Sequence, residues 1–381
     1  MKKIIRITTV PGSLGILLKG QLRFMNHHYE IIGISSEGSV LNNVSNDEGI
    51  RTIPVNMTRE ITPFKDLKAL FELYKIFKKE KPSIVHTHTP KAGTLGMIAA
   101  KLAGVPHRLH TIAGLPLLEA QGNKRKLLNI VEKLTYSCAT LVLPNSFAMQ
   151  DVVIKEKFCK RDKLSVIGNG SSNGIDTAHY DRKMVSNEDI DNLKQKLNIK
   201  PTDTVFLFIG RIVKDKGINE LVKAFDTISK NNSNIKLVIV GPSEKELDPI
   251  EQDTESIIKR NQNIHEIGMV KDIRPYVAIS NILTFPSYRE GFPNVVLQAS
   301  CMEMPCIVTD INGCNEIITH NYNGLIIPPK DSDALKNAML DLLNNPQKAK
   351  ELALNARSNI IKKYKREFIW EELLNLYKTL E

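Results

Sequence analysis

No stretch of this chain approaches the roughly 18–20 consecutive apolar residues of a membrane-spanning helix, so an integral membrane protein is not expected. Aromatic residues are scarce, at 6% with a single tryptophan, and no nucleic-acid-binding module is present. The five cysteines (Cys138, Cys159, Cys301, Cys306, Cys314) are odd in number and contain no C-x-x-C pair. That usage argues for a reducing compartment, with neither disulfides nor a zinc site. A G-x-G-x-x-G string follows neither of the two candidate first strands, which argues against a nicotinamide-dependent oxidoreductase. Met1-Lys2-Lys3-Ile4 has the charge of a signal peptide, but Arg6 and Pro11-Gly12-Ser13 interrupt the apolar run. No small-residue cleavage site follows, so a cytoplasmic location is the expectation.

What the chain does contain is length and asymmetric charge. Its 381 residues exceed one ordinary hydrophobic core, and two domains are expected. Residues 1–175 hold 25 Lys and Arg against 13 Asp and Glu, a balance of +12. Residues 176–381 hold 27 against 29, a balance of −2. The excess positive charge belongs to the first half, which suits either a solvated basic surface or an anionic partner. Among anionic partners, a membrane leaflet or a lipid phosphate fits better than nucleic acid.

Short β-branched runs alternate with helical patterns from the start. Ile4 to Val10, Tyr29 to Ser35, Ile84 to Thr87, Arg108 to Ile112, Leu141 to Leu143 and Leu164 to Ile167 read as strands of one sheet. Pro11 to Gly15 reads as a tight turn into a helix reaching about Asn26. The rhythm restarts after a Gly-, Ser- and Asn-rich hinge at 169–176. Thr204 to Ile209 becomes a second first strand, followed by strands near 236–240, 264–267, 282–285, 306–308 and 324–327. This predicts an α/β protein with two doubly wound parallel sheets. The expected boundaries are 1–175, 176–360 and a terminal helix, 361–381. The apolar stripe Trp370, Leu373, Leu374 and Tyr377 would let that helix cross back to the first domain.

Two strings carry chemistry. Phe208 to Gly217 is a strand, a turn at Gly210, and then Arg211 and Lys216 five residues apart before a helix start. A diphosphate needs such a set of cations and helix-terminal amides. Phe285 to Gln298 places Glu290 at a strand end, with Gly291 allowing close approach and Asn294 at a helix start near Pro293. Gln298 would lie about two turns along that helix, where it could bond a diol. A carboxylate beside a diphosphate site suits sugar hydroxyls. A third cluster, His86-Thr87-His88-Thr89-Pro90-Lys91, lies at a strand end and helix start. Its two histidines lack companions at metal-ligand spacing, and Lys91 suits a phosphate. Asp331-Ser332-Asp333 mimics a D-x-D metal motif but opens a helix, so Asp331 is read as its N-cap.

With Asn173-Gly174-Ile175-Asp176, Gly313-Cys314-Asn315-Glu316 and Asn323-Gly324-Leu325-Ile326, these strings resemble the retaining glycosyltransferases of family 4 along essentially the whole chain. The resemblance implies a GT-B fold, two Rossmann-like domains facing a central cleft. It implies that Arg211 and Lys216 bind the donor diphosphate, that Glu290 holds sugar hydroxyls, and that Gln298 replaces the carboxylate that usually takes the ribose. Gly12 and Gly15 match a loop that meets the diphosphate, and Gly268 begins the segment that reads the base. Relatives carry a histidine where this chain has Ala113, in the string from His110 to Gly114 and Pro116. His110 faces the other side of its strand by alternation, so that role passes to it only if the strand ends or bulges.

The resulting expectation is metal-free, cofactor-free, retaining transfer from a nucleotide sugar, with UDP as the expected nucleotide, to a lipid-diphosphate-linked saccharide. Arg211, Lys216 and Glu290 are the catalytic residues. The donor site adds Gly12, Gly15, Gly210, Gly268, Gly291, Asn294 and Gln298. The acceptor site comprises His86, His88, Lys91, His110 and Gly114. Peripheral attachment to the inner face of an anionic membrane is expected through Lys124-Arg125-Lys126 and the 155–163 lysines. A sugar-nucleotide epimerase or a catalytically weakened partner subunit are the alternatives, the latter suggested by Ala113 and Gln298.

Overall fold

The computed structural model describes all residues except Arg59, Pro116, Leu118, Glu119, Lys245 and Leu247. Pro116, the last residue of the His110–Pro116 string, therefore lies outside the described residues. The chain forms two compact units: Met1–Gly174 with Arg366–Glu381, and Ile175–Lys365. Thus the first crossing falls one residue before the expected 175/176, because the Ile175 amide donates to the Tyr364 carbonyl at 2.8 Å. The second falls five residues after the expected 360/361, because helix Pro346–Tyr364 keeps Leu352, Ile360 and Tyr364 in the second unit's core.

The first unit is built on six parallel strands: β1 (Lys3–Ile7), β2 (Glu30–Ser35), β3 (Arg51–Pro54), β4 (Ile84–Thr87), β5 (His107–Ile112) and β6 (Leu141–Pro144). Their spatial order is β3-β2-β1-β4-β5-β6, so the winding reverses between β1 and β4. Alternation along β1 separates two apolar layers. Ile5 and Ile7 face helices Pro63–Glu80 and Pro90–Ala103, while Ile4 joins Leu14, Leu22, Leu373, Leu374 and Tyr377. The terminal helix Arg366–Thr379 therefore completes the core of this unit.

Two expectations need correction here. Leu164–Ile167 forms no strand; Leu164 makes a single bridge to Val142, and the next residues enter the turn before the crossing. The helix expected to reach Asn26 breaks into Pro11–Leu17 and Gln21–Asn26. The break is at Gly20, φ +77°, where an added Cβ would sit 2.8 Å from the Trp370 ring.

The second unit repeats the plan with β7 (Thr204–Ile209), β8 (Ile235–Val240), β9 (Ile264–Gly268), β10 (Ile282–Phe285), β11 (Cys306–Thr309) and β12 (Gly324–Ile327). Its order, β12-β11-β10-β7-β8-β9, is that of the first sheet, with the reversal between β7 and β10. Helices such as Ile218–Ser229 and Ser332–Asn344 bury Leu221, Phe225, Leu335 and Met339 on its faces. Asp331 caps the latter, accepting from the Ala334 amide at 2.8 Å.

Candidate active site

In an open parallel sheet, ligands bind beyond the carboxyl ends of the strands where the winding reverses. In the second unit that point lies between β7 and β10, and the two chemistry-bearing strings leave from those two strands. After β7 the chain turns at Gly210. The close approach there depends on Gly241, φ +145°, whose Cβ would sit 1.8 Å from the Gly210 carbonyl oxygen. Lys214–Lys216 then forms one 3-10 turn, and Gly217, φ +72°, starts helix Ile218–Ser229. A Cβ on Gly217 would lie 2.1 Å from the Pro286 carbonyl oxygen, so only glycine lets the two loops meet.

That meeting brings Lys216 and Glu290 together, with Nζ 2.5 Å from Oε1 and both side chains largely buried. Asp215 stitches the loops beside them. Its carbonyl accepts from the Tyr288 amide at 2.9 Å, and its carboxylate pairs with Arg289 at 2.7 Å. Arg211 lies in the same cluster, with its side chain 41% exposed and Nη1 2.8 Å from Glu244 Oε2. Burial works against its charge, but the carboxylates of Glu244, Asp215 and Glu290 outweigh burial and raise its pKa. The Cys314 thiol, at the start of the short helix Cys314–Ile317, is pushed well up by burial and then by Glu290. The Asn312 amide donates to the Glu290 carbonyl. Arg211, Lys216, Glu290, Gly210 and Gly291 thus share one neighbourhood.

The remaining donor residues are placed less uniformly. Asn294 is the first residue of helix Asn294–Cys301 and is exposed. Gln298 is four residues into that helix, just over one turn rather than the expected two. Its amide donates to the Tyr180 hydroxyl at 2.8 Å. Gly268 ends β9 at φ +79° with open space where a side chain would be. The Gly12–Gly15 turn proves to be helix, because Pro11 starts Pro11–Leu17 at once. Gly12 has open space, whereas Gly15 is a packing position 2.9 Å from Val44 for an added Cβ.

Most expected acceptor residues are structural. His86 is 1% exposed, with Nδ1 2.6 Å from the Tyr377 hydroxyl and Nε2 2.7 Å from Thr111 Oγ1. Both ring nitrogens are therefore engaged inside the unit. The His88 ring lies tilted against that of His86, with centroids 4.2 Å apart, and its Nε2 accepts from Arg6 Nε at 2.9 Å. His110 is also buried, bonded to Thr87 and covered by Gly93, so it does not emerge from its strand. Burial lowers all three histidine pKa values, that of His110 to about 4. Lys91 is not an open phosphate ligand: its Nζ lies 2.5 Å from Asp66 Oδ2. Gly114 is partly exposed and has free space where a side chain would be. Sequence reasoning missed Glu244, Asp215 and Tyr180. Of these only Asp215 stood inside a quoted string, and its role depends on Arg289, 74 residues away.

The family described as Glycosyl transferases group 1 matches residues 189–359, and that described as Glycosyl transferase 4-like matches 17–146. The capsular polysaccharide biosynthesis glycosyltransferase CapM of Staphylococcus aureus is 34% identical over 379 residues, covering 99% of this chain and 97% of CapM. The chain belongs to the family 4 glycosyltransferases. A second relative of this glycosyltransferase is the UDP-Gal:alpha-D-GlcNAc-diphosphoundecaprenol alpha-1,3-galactosyltransferase of Escherichia coli. It is 30% identical over 343 residues, covering 88% of this chain and 85% of the relative. The fold is GT-B. HepE of Anabaena, solved in complex with UDP and glucose, superposes with a TM-score of 0.82 at 19% identity, with both chains fully covered.

Proposed function

We propose that this glycosyltransferase moves a hexose from a UDP-sugar to a lipid-diphosphate-linked saccharide, with retention of configuration and no metal ion. The observation that carries this reading is the cluster at the β7–β10 switch point, where Arg211, Lys216 and Glu290 converge. Fixed cations on a leaving diphosphate stabilise charge that develops only as the sugar departs. On donor binding, Lys216 and Arg211 exchange their carboxylate partners for phosphate oxygens, which frees Glu290 to accept from sugar hydroxyls. The bond from the anomeric carbon to the diphosphate oxygen breaks. The acceptor hydroxyl oxygen bonds to that carbon on the same face and gives its proton to the departing diphosphate. A side-chain base is then not required at Ala113. Gln298 and Tyr180 present an amide and a hydroxyl to the ribose.

The acceptor class is supported by the names of the relatives, one of which acts on a diphosphoundecaprenol-linked sugar. Gly114 stays assigned to the acceptor site. Lys91 joins only if the acceptor's phosphate displaces Asp66. Association with the cytoplasmic face of an anionic membrane is supported by the first unit's surface, where no helix of the described residues is long and apolar enough to cross a bilayer. Helix Pro63–Glu80 exposes Phe64, Leu67 and Phe71, and helix Gly122–Cys138 exposes Leu127, Ile130 and Leu134. Both pack against helix Pro90–Ala103, and lysines 65, 68, 75, 124 and 126 stand around these residues. Apolar stripes flanked by lysine suit an anionic interface. Arg125 and Lys163, from the clusters named earlier, are instead engaged inside the unit by Glu156 and by backbone carbonyls.

The test is transfer from UDP-sugars to an undecaprenyl-diphosphate-linked saccharide, with the product's anomeric configuration read by NMR. Lys216→Ala or Glu290→Ala is expected to lower turnover by about 10²–10³-fold. Turnover of donor without acceptor, yielding an epimer, would overturn the reading in favour of an epimerase. Unchanged transfer in Glu290→Ala would remove the site assignment.

A further inference from the structure

The first unit contains a small, partly enclosed cavity, with about 20 Å³ of room for water-sized particles, on the face of β1 that carries Arg6. Arg6, His88, Asn145 and Ser172 line its polar side, and Ile369 and Leu373 its apolar side. Arg6 is fully buried, and no carboxylate pairs with it among the described residues. Its Nε donates to His88 Nε2 and its Nη2 to Gln21 Oε1 at 2.6 Å, but Nη1 has no partner. A guanidinium can only donate, so His88 Nε2 is the accepting, unprotonated nitrogen and Nδ1 carries the ring proton. That Nδ1 is buried without a partner, as is Ser172 Oγ. Three hydrogen-bond donors, one bearing a permanent positive charge, thus line a single void. Asn145 Oδ1 is the one unpartnered acceptor beside them.

We propose that this cavity binds a halide ion, chloride, held by Arg6 Nη1, His88 Nδ1 and Ser172 Oγ, with a companion water donating to Asn145 Oδ1. Water alone would satisfy hydrogen bonds but leave a buried guanidinium without a counter-charge, which costs several kcal/mol. The void holds about one or two water-sized particles, so sulfate and phosphate are too large. Ser172 lies in the segment by which the chain leaves the unit, and Ile369 and Leu373 lie in the helix by which it returns. The Ser172 carbonyl also accepts from Gln21 Nε2 at 3.1 Å, and Asn173 Oδ1 accepts from Trp370 Nε1 at 2.6 Å. An ion here ties both segments to β1.

The test uses the full chain, freed of halide in sodium gluconate. Thermal unfolding in sodium chloride or bromide, at matched ionic strength, is expected to rise by about 1–3 °C over gluconate. Ser172→Ala should keep its gluconate melting point and lose most of that rise. Crystals grown in bromide should give an anomalous peak within hydrogen-bond reach of Arg6. Equal melting in all three salts, or a rise untouched by Ser172→Ala, would overturn the proposal. So would bromide crystals showing water alone in the cavity.

Discussion

Both units wind six parallel strands in the same order, yet their central strands are filled with opposite materials. In the first, β1 and β4 carry Arg6 and His86 into the interior, with His88 and His110 close by. In the second, β7 and β10 carry Phe206, Phe208 and Phe285, and Phe208 stacks on Phe285 at 6.2 Å. The second unit's charged groups gather instead at the strand ends, around Arg211, Lys216 and Glu290. One topology therefore tolerates a polar interior where partners such as Tyr377, Thr111 and Gln21 are supplied. A titratable residue points to chemistry only when its partners can be exchanged for a ligand. Those of Lys216 sit at a switch point; those of His86 are locked in a core.

The sharpest way to break this comparison is acid. Burial holds the three histidines neutral, with pKa values below the ordinary 6.5 and that of His110 at about 4. The unfolded chain binds their protons near pH 6.5, whereas the folded chain does not until lower pH. Their contribution is therefore complete above about pH 6.5 and is lost as pH falls towards 4. His110 alone accounts for roughly 3 kcal/mol of that loss. Hydrogen exchange across pH 7 to 4.5 should show protection falling first in peptides of residues 1–174. Simultaneous loss in both units would show that the two interiors respond alike.

A steric probe of the sheet's other face, where His110 lies, comes next. An added Cβ at Gly93, in helix Pro90–Ala103, would lie 2.3 Å from His110 Cε1. Gly93→Ala gains helix propensity but forces the new methyl and the imidazole apart, and His110 is fixed by Thr87 at 2.8 Å. A net loss of about 1–3 kcal/mol is expected from denaturant unfolding. A stabilised variant would mean that His110 yields despite its bond to Thr87.

Much of the second unit was legible because its signals are local. A strand, a glycine turn and paired cations are read directly from Phe208 to Gly217, and Asp331 is a cap three residues before the amide it accepts from. In the first unit, the misreadings of His86, Lys91 and Gly15 share one cause, which is partners distant in sequence. His86 resembles a cleft residue until Tyr377, 291 residues later, is seen to bond it. Lys91 resembles a phosphate ligand until Asp66 is placed beside it. Gly15 resembles a loop glycine until Val44 packs on it. Periodicity and turn chemistry report the backbone's near neighbours, whereas side-chain commitment is decided by tertiary contact.

The smallest expected effect sharpens the contrast from the second unit's side. Asp331 satisfies the Ala334 amide at the start of helix Ser332–Asn344, whose Leu335, Met339 and Leu342 are buried in an apolar core. Asp331→Ala should cost about 1 kcal/mol, the ordinary value of a lost N-cap. The cost should be the same at pH 7 and pH 5.5, because the cap and the apolar core it serves belong to the second unit, while the buried histidines that lose ground belong to the first. Urea unfolding followed by exchange in residues 332–344 measures it. A cost that grows between those two values would mean that protonation in the first unit also weakens the second, and that the two interiors do not titrate separately.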